Sequence, residues 1–186
     1  MFWVPATAAS VAGVSDVYKA GFVGSMTHLI AHGLIKITLF YCAGAVLCKT
    51  GKEYVGELRG FAKIMPVTFG CFLIGSMALM GVPPLPGFLS KWNLATAAAE
   101  SGNVLAYIGA GVLLVSALLT AMYLFAVVFK AFFPAKSIPL TLPEESQEAG
   151  IQMCLPMVIL CVAMLVLGLN AASFVYLFEQ IAAGLL

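Results

Sequence analysis

Charged residues are scarce in this sequence of 186 residues: 9% are Asp, Glu, Lys or Arg, whereas 62% are hydrophobic. The nine basic and eight acidic residues nearly balance, so the sequence has no basic surface of the kind that binds nucleic acid. A mean hydropathy of +1.07 is typical of helical membrane proteins and not of soluble domains. We therefore predict an all-α, multi-pass membrane protein that forms a single membrane domain over residues 1–186.

The common motifs of catalysis and cofactor binding are also missing. No GxGxxG, Walker sequence, nucleophile motif or haem-ligand pattern occurs, and none of the five cysteines forms a CxxC pair. We predict no catalytic residue, no cofactor and no metal site in this chain. We interpret the five cysteines as small hydrophobic residues of the protein core. They are Cys42, Cys48, Cys71, Cys154 and Cys161.

The beginning of the sequence is unusual for a membrane protein. Residues 1–13, MFWVPATAASVAG, are too few to span a bilayer and lack the basic residues of a signal peptide. We interpret this stretch as an N-terminal helix stub whose beginning lies elsewhere. The chain is then expected to be the C-terminal portion of a larger or split protein.

Four apolar segments have the length of a transmembrane helix, which needs about 20 residues. They are residues 25–48, 66–100, 103–130 and 151–175. The second segment is too long for one straight span, and prolines interrupt it between Pro83 and Gly87. It is either two separate crossings or one helix that is broken at Pro83–Gly87.

The distribution of basic residues favours the single broken crossing. One group of basic residues follows the first span and a second group follows the third span, and cytoplasmic loops are enriched in such residues. Both groups lie on the same side only if the broken segment crosses once. We therefore expect residues 131–150 to form a cytoplasmic loop and the C-terminus to lie outside. The basic residues are Lys49, Lys52, Arg59, Lys63, Lys130 and Lys136.

Three titratable residues share one stripe of the first span. His28, His32 and Lys36 follow one another at intervals of four, so they cover about two turns, or about 12 Å, of one helix face. An ionisable group in hydrocarbon costs about 2.5–3.5 kcal/mol and indicates a functional site. Imidazoles exchange protons near neutral pH. One histidine alone would more often only hydrogen-bond a neighbouring helix, but the set of three predicts a proton path.

A fourth titratable residue, Lys91, follows the helix break. Ser90 and Lys91 come just after Pro83, Pro84 and Gly87, and transporters use such breaks to build ion sites near the middle of the bilayer. At the start of the second half-helix the helix dipole disfavours a cation. The alternative is a simple kink from which Lys91 reaches the membrane surface, but the distance along the half-helix argues against it.

Other polar residues are weaker candidates. Ser116, Thr120 and Tyr123 share one face of the third span; we include Thr120 as a supporting residue, although packing between helices is the simpler explanation. The charged residues around the third connection are interpreted as a solvated loop edge. These are Lys130, Lys136, Glu144, Glu145 and Glu148.

Two stretches carry a resemblance to a known family. They are THLIAHGLIKITLFYCAGAV at 27–46 and ELRGFAKIMPVTFGCFLIGSMALMGVPPLPGFLSKW at 57–92. Their HxxxHxxxK, GxxxxMP and GxPPxxGFxSK motifs resemble the antiporter-like membrane subunits shared by respiratory complex I, Mrp-type cation/proton antiporters and membrane-bound hydrogenases. The likeness covers most of residues 20–130.

The resemblance implies a place in an inverted-repeat fold. The first three spans would end its second repeat, and the last would be its terminal helix. His28, His32 and Lys36 would belong to the central hydrophilic axis, and Lys91 would exchange protons with the outside. The first repeat, with its glutamate–lysine pair, is absent, and Trp92 stands where the family often has an acidic residue.

We therefore expect proton translocation, with sodium exchange left open, by an antiporter-like subunit of a multi-subunit complex in a prokaryotic cytoplasmic membrane. A second chain would supply the missing N-terminal half, and the machine could be a redox-driven oxidoreductase or a hydrogenase. The alternative function is a structural, non-conducting fragment that packs a neighbouring subunit in the lipid bilayer.

Overall fold

The computed structural model describes residues 12–133 and 148–185, and within these ranges the regular structure is entirely helical. Two short 3-10 helices, Val55–Glu57 and Phe61–Lys63, lie between α1 and α2. The six α-helices are α1 (Ala12–Thr50), α2 (Pro66–Met80), α3 (Pro86–Glu100), α4 (Val104–Phe132), α5 (Ile151–Leu169) and α6 (Ala171–Leu185). The all-α prediction is confirmed.

In the part of the chain that the structure describes, three helices are long and apolar enough to cross a bilayer: Lys19–Thr50 within α1, together with α4 and α5. Most residues of α4 are exposed, as in Leu118 at 67% and Val112 at 63%. Apolar surface of this extent suits lipid or neighbouring membrane helices and not water. The chain is an integral membrane protein.

Helix α1 extends further toward the N-terminus than the sequence suggested. The expected span covered 25–48, but one uninterrupted helix runs from Ala12 to Thr50. Residues 1–11, most of the expected helix stub, lie outside the described residues.

The predicted helix break is confirmed. Helix α2 ends at Met80, where Gly81 adopts a left-handed backbone conformation with φ of 95° and Val82 N–H donates to the Met77 carbonyl at 3.0 Å. This arrangement is a common way to close a helix. Helix α3 then begins at Pro86, whose fixed φ and missing N–H suit the first helical position.

Together α2 and α3 form one crossing beside α1. Near one end of α1, Leu39 lies against Gly75 of α2; near the other end, Gly24 lies against Leu94 of α3. The chain order along α2 and α3 is therefore the reverse of the order along α1. Two successive crossings would have turned the chain back at the break, so the single-crossing interpretation is correct.

Four helix ends meet at one end of the bundle. The Gly60 N–H donates to the Lys130 carbonyl at the end of α4, and Glu148, just before α5, contacts the start of α2. The end of α1 leads into the same region. We call this region the basic end, because it carries Lys49, Lys52, Arg59, Lys63 and Lys130.

The last apolar segment differs from the prediction. The expected span covered 151–175, but α5 ends at Leu169 and a separate helix, α6, begins at Ala171. Asn170 closes α5 with its side-chain amide on the Val166 carbonyl at 3.1 Å. Helix α6 packs mainly against α1. Hydropathy alone did not reveal this change of direction, because both helices are apolar.

The core lies where α1, α2 and α5 pack together. Cys42, Cys71 and Cys161 are buried there, as expected, while Cys154 is half-buried. Cys48 is exposed near the end of α1, so the interpretation of all five cysteines as interior residues is wrong for this one. Lys136, Glu144 and Glu145 of the expected loop edge lie outside the described residues.

Candidate functional site

The break between α2 and α3 leaves carbonyl oxygens that Lys91 binds. The last four carbonyls of a helix have no partner inside the helix. The Lys91 Nζ donates to the carbonyls of Leu79 at 2.6 Å and Met80 at 3.0 Å. The amine therefore sits at the negative end of the α2 dipole, where a cation is favoured.

This geometry corrects the electrostatic expectation for Lys91. From its place near the start of α3, we expected the helix dipole to act against the charge. The side chain instead folds back beside Gly81, where an added Cβ would lie 3.3 Å from Lys91 Cδ. The dipole that matters is that of α2, not that of α3.

Gly87 allows the two half-helices to approach each other closely. A Cβ at this position would overlap the carbonyl oxygen of Ala78. Gly87 is buried, whereas Pro83 and Pro84 are exposed in the connection. The prolines shape the connection, and Gly87 brings the first turn of α3 against the last turn of α2.

His28 joins α1 to α3 through a buried hydroxyl. Its Nδ1 lies 3.0 Å from Ser90 Oγ, and Ser90 is fully buried. The Ser90 hydroxyl also donates to the Gly87 carbonyl at 3.2 Å. One hydroxyl proton serves one acceptor at a time. When it goes to Gly87, the His28 Nδ1–H donates to Ser90, and Nε2 is left as a proton acceptor.

His32 lies next to His28, one turn along α1. The two ring centroids are 5.4 Å apart and the ring planes are tilted by 31°. Both side chains are half-buried. At this separation the two rings pack against each other.

A cavity of about 100 Å³ joins these groups. A water molecule occupies about 30 Å³ of liquid, so the cavity has room for a few. Ser116 is exposed, which shows that the cavity opens beside α4. The polar side chains that line the cavity are His28, His32, Ser90, Lys91, Ser116 and Thr120.

The structure thus brings together most of the predicted site. His28, His32 and Lys91 line the cavity, with Ser90, Gly87 and Thr120 beside them. Lys36 is not among the lining residues: it is half-buried on α1, one turn beyond His32. Within residues 12–133 and 148–185, neither Lys36 nor Lys91 forms an ion pair with a carboxylate.

Glu148 has a structural role that its place in the sequence did not reveal. Its carboxylate accepts from the Val67 N–H at 2.8 Å and from the Thr68 N–H at 3.3 Å, and the Thr68 hydroxyl donates to it at 2.6 Å. The interpretation as a solvated loop edge is wrong. Met65 stands at the N-cap of α2 and makes no side-chain hydrogen bond there. A methionine at this position indicates that the first N–H groups of α2 need another acceptor, but it does not identify Glu148 as that acceptor.

The side chains of the cavity are suited to proton transfer. Among the residues the structure describes, no group of three or more His, Cys, Asp or Glu side chains is placed to hold a metal ion. Two imidazoles, an amine and three hydroxyls line a cavity with room for a few waters. The imidazoles and the amine accept and release protons, and the hydroxyls donate and accept hydrogen bonds.

Comparisons with known proteins agree with the motifs. Residues 11–120 match the family model described as NADH:quinone oxidoreductase/Mrp antiporter, TM. The NADH-quinone oxidoreductase subunit N of Desulforudis audaxviator is 36% identical over 155 residues, which is 78% of this chain and 30% of that protein. The Na(+)/H(+) antiporter subunit A1 of Staphylococcus haemolyticus is 35% identical over 162 residues, or 83% of this chain and 20% of that protein.

The fold is similar to a chain in the solved structure of the Mrp complex from Dietzia sp. DQ12-45-1b. The TM-score is 0.77 at 25% sequence identity, and the match covers 92% of this chain and 39% of the other. The chain therefore spans between a fifth and two fifths of the length of these relatives.

Proposed function

Because the chain belongs to the NADH:quinone oxidoreductase/Mrp antiporter transmembrane family, we propose that it moves protons across the membrane as one part of a larger antiporter-like subunit. The observation that carries this proposal is the shared cavity of His28, His32 and Lys91. A lysine inside a membrane bundle without a carboxylate partner can gain and lose its proton through cavity water.

Protons pass laterally along the α1 stripe of His28, His32 and Lys36 and reach Lys91. Lys36 lies about 6 Å of helix rise from His32, outside the cavity, so it stands at the far end of this path. Between His28 and Lys91 the path uses Ser90 and the cavity water. From the cavity the protons leave toward the end of the bundle opposite the basic end.

The basic end faces the cytoplasm. Five basic residues gather there, and cytoplasmic segments close to membrane helices carry such an excess. The connection at 131–150 is then cytoplasmic, the C-terminus lies outside, and protons leave to the outside. The membrane is the cytoplasmic membrane of a prokaryote, since the relatives from Desulforudis audaxviator and Staphylococcus haemolyticus are bacterial proteins.

Further membrane helices complete the antiporter-like unit. The relatives are several times longer than the matched region, and the cavity opens at Ser116 on α4, where further helices would close it. The energy comes from partner subunits, since no catalytic motif occurs here. A redox-driven oxidoreductase, a hydrogenase or an Mrp-type sodium/proton antiporter would fit this arrangement.

One observation favours a second candidate, a structural and non-conducting role. Lys91 satisfies two carbonyls that the helix break leaves open, and an unsatisfied carbonyl inside a membrane is costly. In this candidate function the amine stabilises the break and never releases its proton. The fragment then serves to pack a neighbouring subunit.

The variant Lys91→Arg separates the two candidates. Arginine keeps a charged donor for the α2 carbonyls but does not release its proton in proteins. We expect proton movement in vesicles that contain the assembled complex to fall to background, with unchanged co-purification of the partner subunits. Lys63→Arg, an exposed lysine at the basic end, is the control and should pump normally. Normal pumping by Lys91→Arg would support the structural role.

A further inference from the structure

Within residues 12–133 and 148–185, the side-chain amide nitrogen of Asn93 on α3 has no hydrogen-bond partner. This nitrogen, Nδ2, is shielded from solvent. An amide nitrogen offers two donors, and a buried donor without an acceptor is strongly unfavourable. In folded proteins bound water meets this need where the site is polar.

Asn93 lies between the cavity and the end of the bundle opposite the basic end. It is three residues past Ser90, so it lies one turn further along nearly the same face of α3. Ser90 bonds to His28 of α1, and Leu94 packs against Gly24. Asn93 therefore stands at the α1–α3 interface, just outward of the His28–Ser90 pair.

We propose that Asn93 holds a water molecule that carries protons from the cavity at His28 and Ser90 toward that opposite end. Asn93 is a positioning residue: its amide orients the water but does not itself exchange protons. This inference rests on the proposed function, because it describes how protons leave the same cavity. It also assigns the release route to the α1–α3 interface and not to the exposed side of α4.

The transfer balances without any further reactant. An N–H bond of the cavity group, either the Lys91 ammonium or the His28 imidazolium, breaks as an O–H bond forms on a cavity water. The excess proton passes to the water at Asn93 and then to bulk water. The cavity group is left neutral and regains a proton from the α1 stripe.

Two substitutions at this position test the proposal in vesicles that contain the assembled complex. Asn93→Leu has similar size but cannot bind water, whereas Asn93→Asp keeps the shape and can hydrogen-bond to it. We expect the Leu variant to release protons several-fold more slowly and the Asp variant to stay near wild type. Asn170→Leu, a change at an exposed asparagine after α5, should have no effect on release.

The solvent isotope effect distinguishes positioning from packing. If water-mediated transfer becomes rate-limiting in Asn93→Leu, the ratio of rates in H₂O and D₂O rises above the wild-type ratio. A packing defect would lower the rate with an unchanged ratio, and this outcome would overturn the proposal. Asn93→Met, whose side chain adapts to packing, provides the same measurement if the Leu variant does not assemble.

The outcome for Lys91→Arg separates this inference from the proposed function. Normal release by Asn93→Leu, together with loss of transport in Lys91→Arg, would exclude the Asn93 water and leave the proton path intact. Normal transport by Lys91→Arg would contradict the proposed proton path itself.

Discussion

Helix α2 has unpaired backbone groups of opposite polarity at its two ends, and charged side chains from other segments bind both. At its start, free N–H groups donate to the carboxylate of Glu148, which is 80 or more residues away in sequence. At its end, free carbonyls accept hydrogen bonds from the Lys91 amine of the next helix. Both pairings follow the helix dipole, which favours an anion at the start and a cation at the end.

The two ends differ in how easily water can replace the side chain. The start of α2 lies at the basic end, where Val67 is exposed and bulk water can reach the amides. The end of α2 lies at a break inside a membrane crossing, where open backbone groups depend on protein or on a few trapped waters. Changes at the break are therefore expected to have larger effects than changes at the start.

The largest effect is expected from Gly87→Ala at the break. The new Cβ would overlap the Ala78 carbonyl, so α3 would have to move away from α2. We expect the free energy of unfolding in mild detergent to fall by about 3 kcal/mol, at the upper end of overpacking effects. Gly44→Ala, where an added Cβ meets nothing within 4 Å, is the control. An equal and small change in both variants would contradict the close approach at Gly87.

An intermediate effect is expected from Lys91→Met. The side chain keeps its apolar stem but leaves the Leu79 and Met80 carbonyls without this donor. Hydrogen bonds to charged groups contribute about 1.5–3 kcal/mol, and we expect a loss of unfolding free energy in that range by denaturation in detergent. A change within experimental error would show that cavity water serves the carbonyls as well as the amine does.

The smallest effect is expected from Glu148→Ala at the start of α2. Removal of a helix cap lowers the free energy of unfolding by about 1 kcal/mol, and water at the basic end should compensate in part. The two ends are separated by the 15 residues of α2, or about 22 Å. The double variant with Lys91→Met should therefore be additive within about 0.5 kcal/mol. A larger coupling energy would show that α2 transmits a movement from one end to the other.

Much of the fold followed from the sequence. The family predicted from the HxxxHxxxK and GxPPxxGFxSK motifs is confirmed by the match over residues 11–120, and the single broken crossing is confirmed by the order of contacts along α1. These predictions succeeded because apolar length, proline and glycine positions and the placement of basic residues are local properties of the sequence. The side of the membrane and the relay itself stay predictions.

The failures share a physical cause. The junction at Asn170 lies in a stretch that is apolar on both sides, where hydropathy does not mark a turn. Glu148 was misread because a carboxylate in a connecting segment resembles any solvated charge until its partner is known. Lys91 was assigned to the dipole of its own helix, although its long side chain reaches the neighbouring one.

The sequence by itself determined that the chain is helical, membrane-embedded and broken near Pro83, and it predicted His28, His32, Lys36 and Lys91 as the proton-carrying residues. It could do so because ionisable groups and prolines stand out in so apolar a chain. Only the tertiary structure decided which of these groups share a cavity, since Lys36 lies outside it while Thr120 and Ser116 line it. It also decided which end of α2 each charged side chain binds. Unpaired backbone N–H and carbonyl groups form hydrogen bonds with whichever partner the packing brings within about 3 Å.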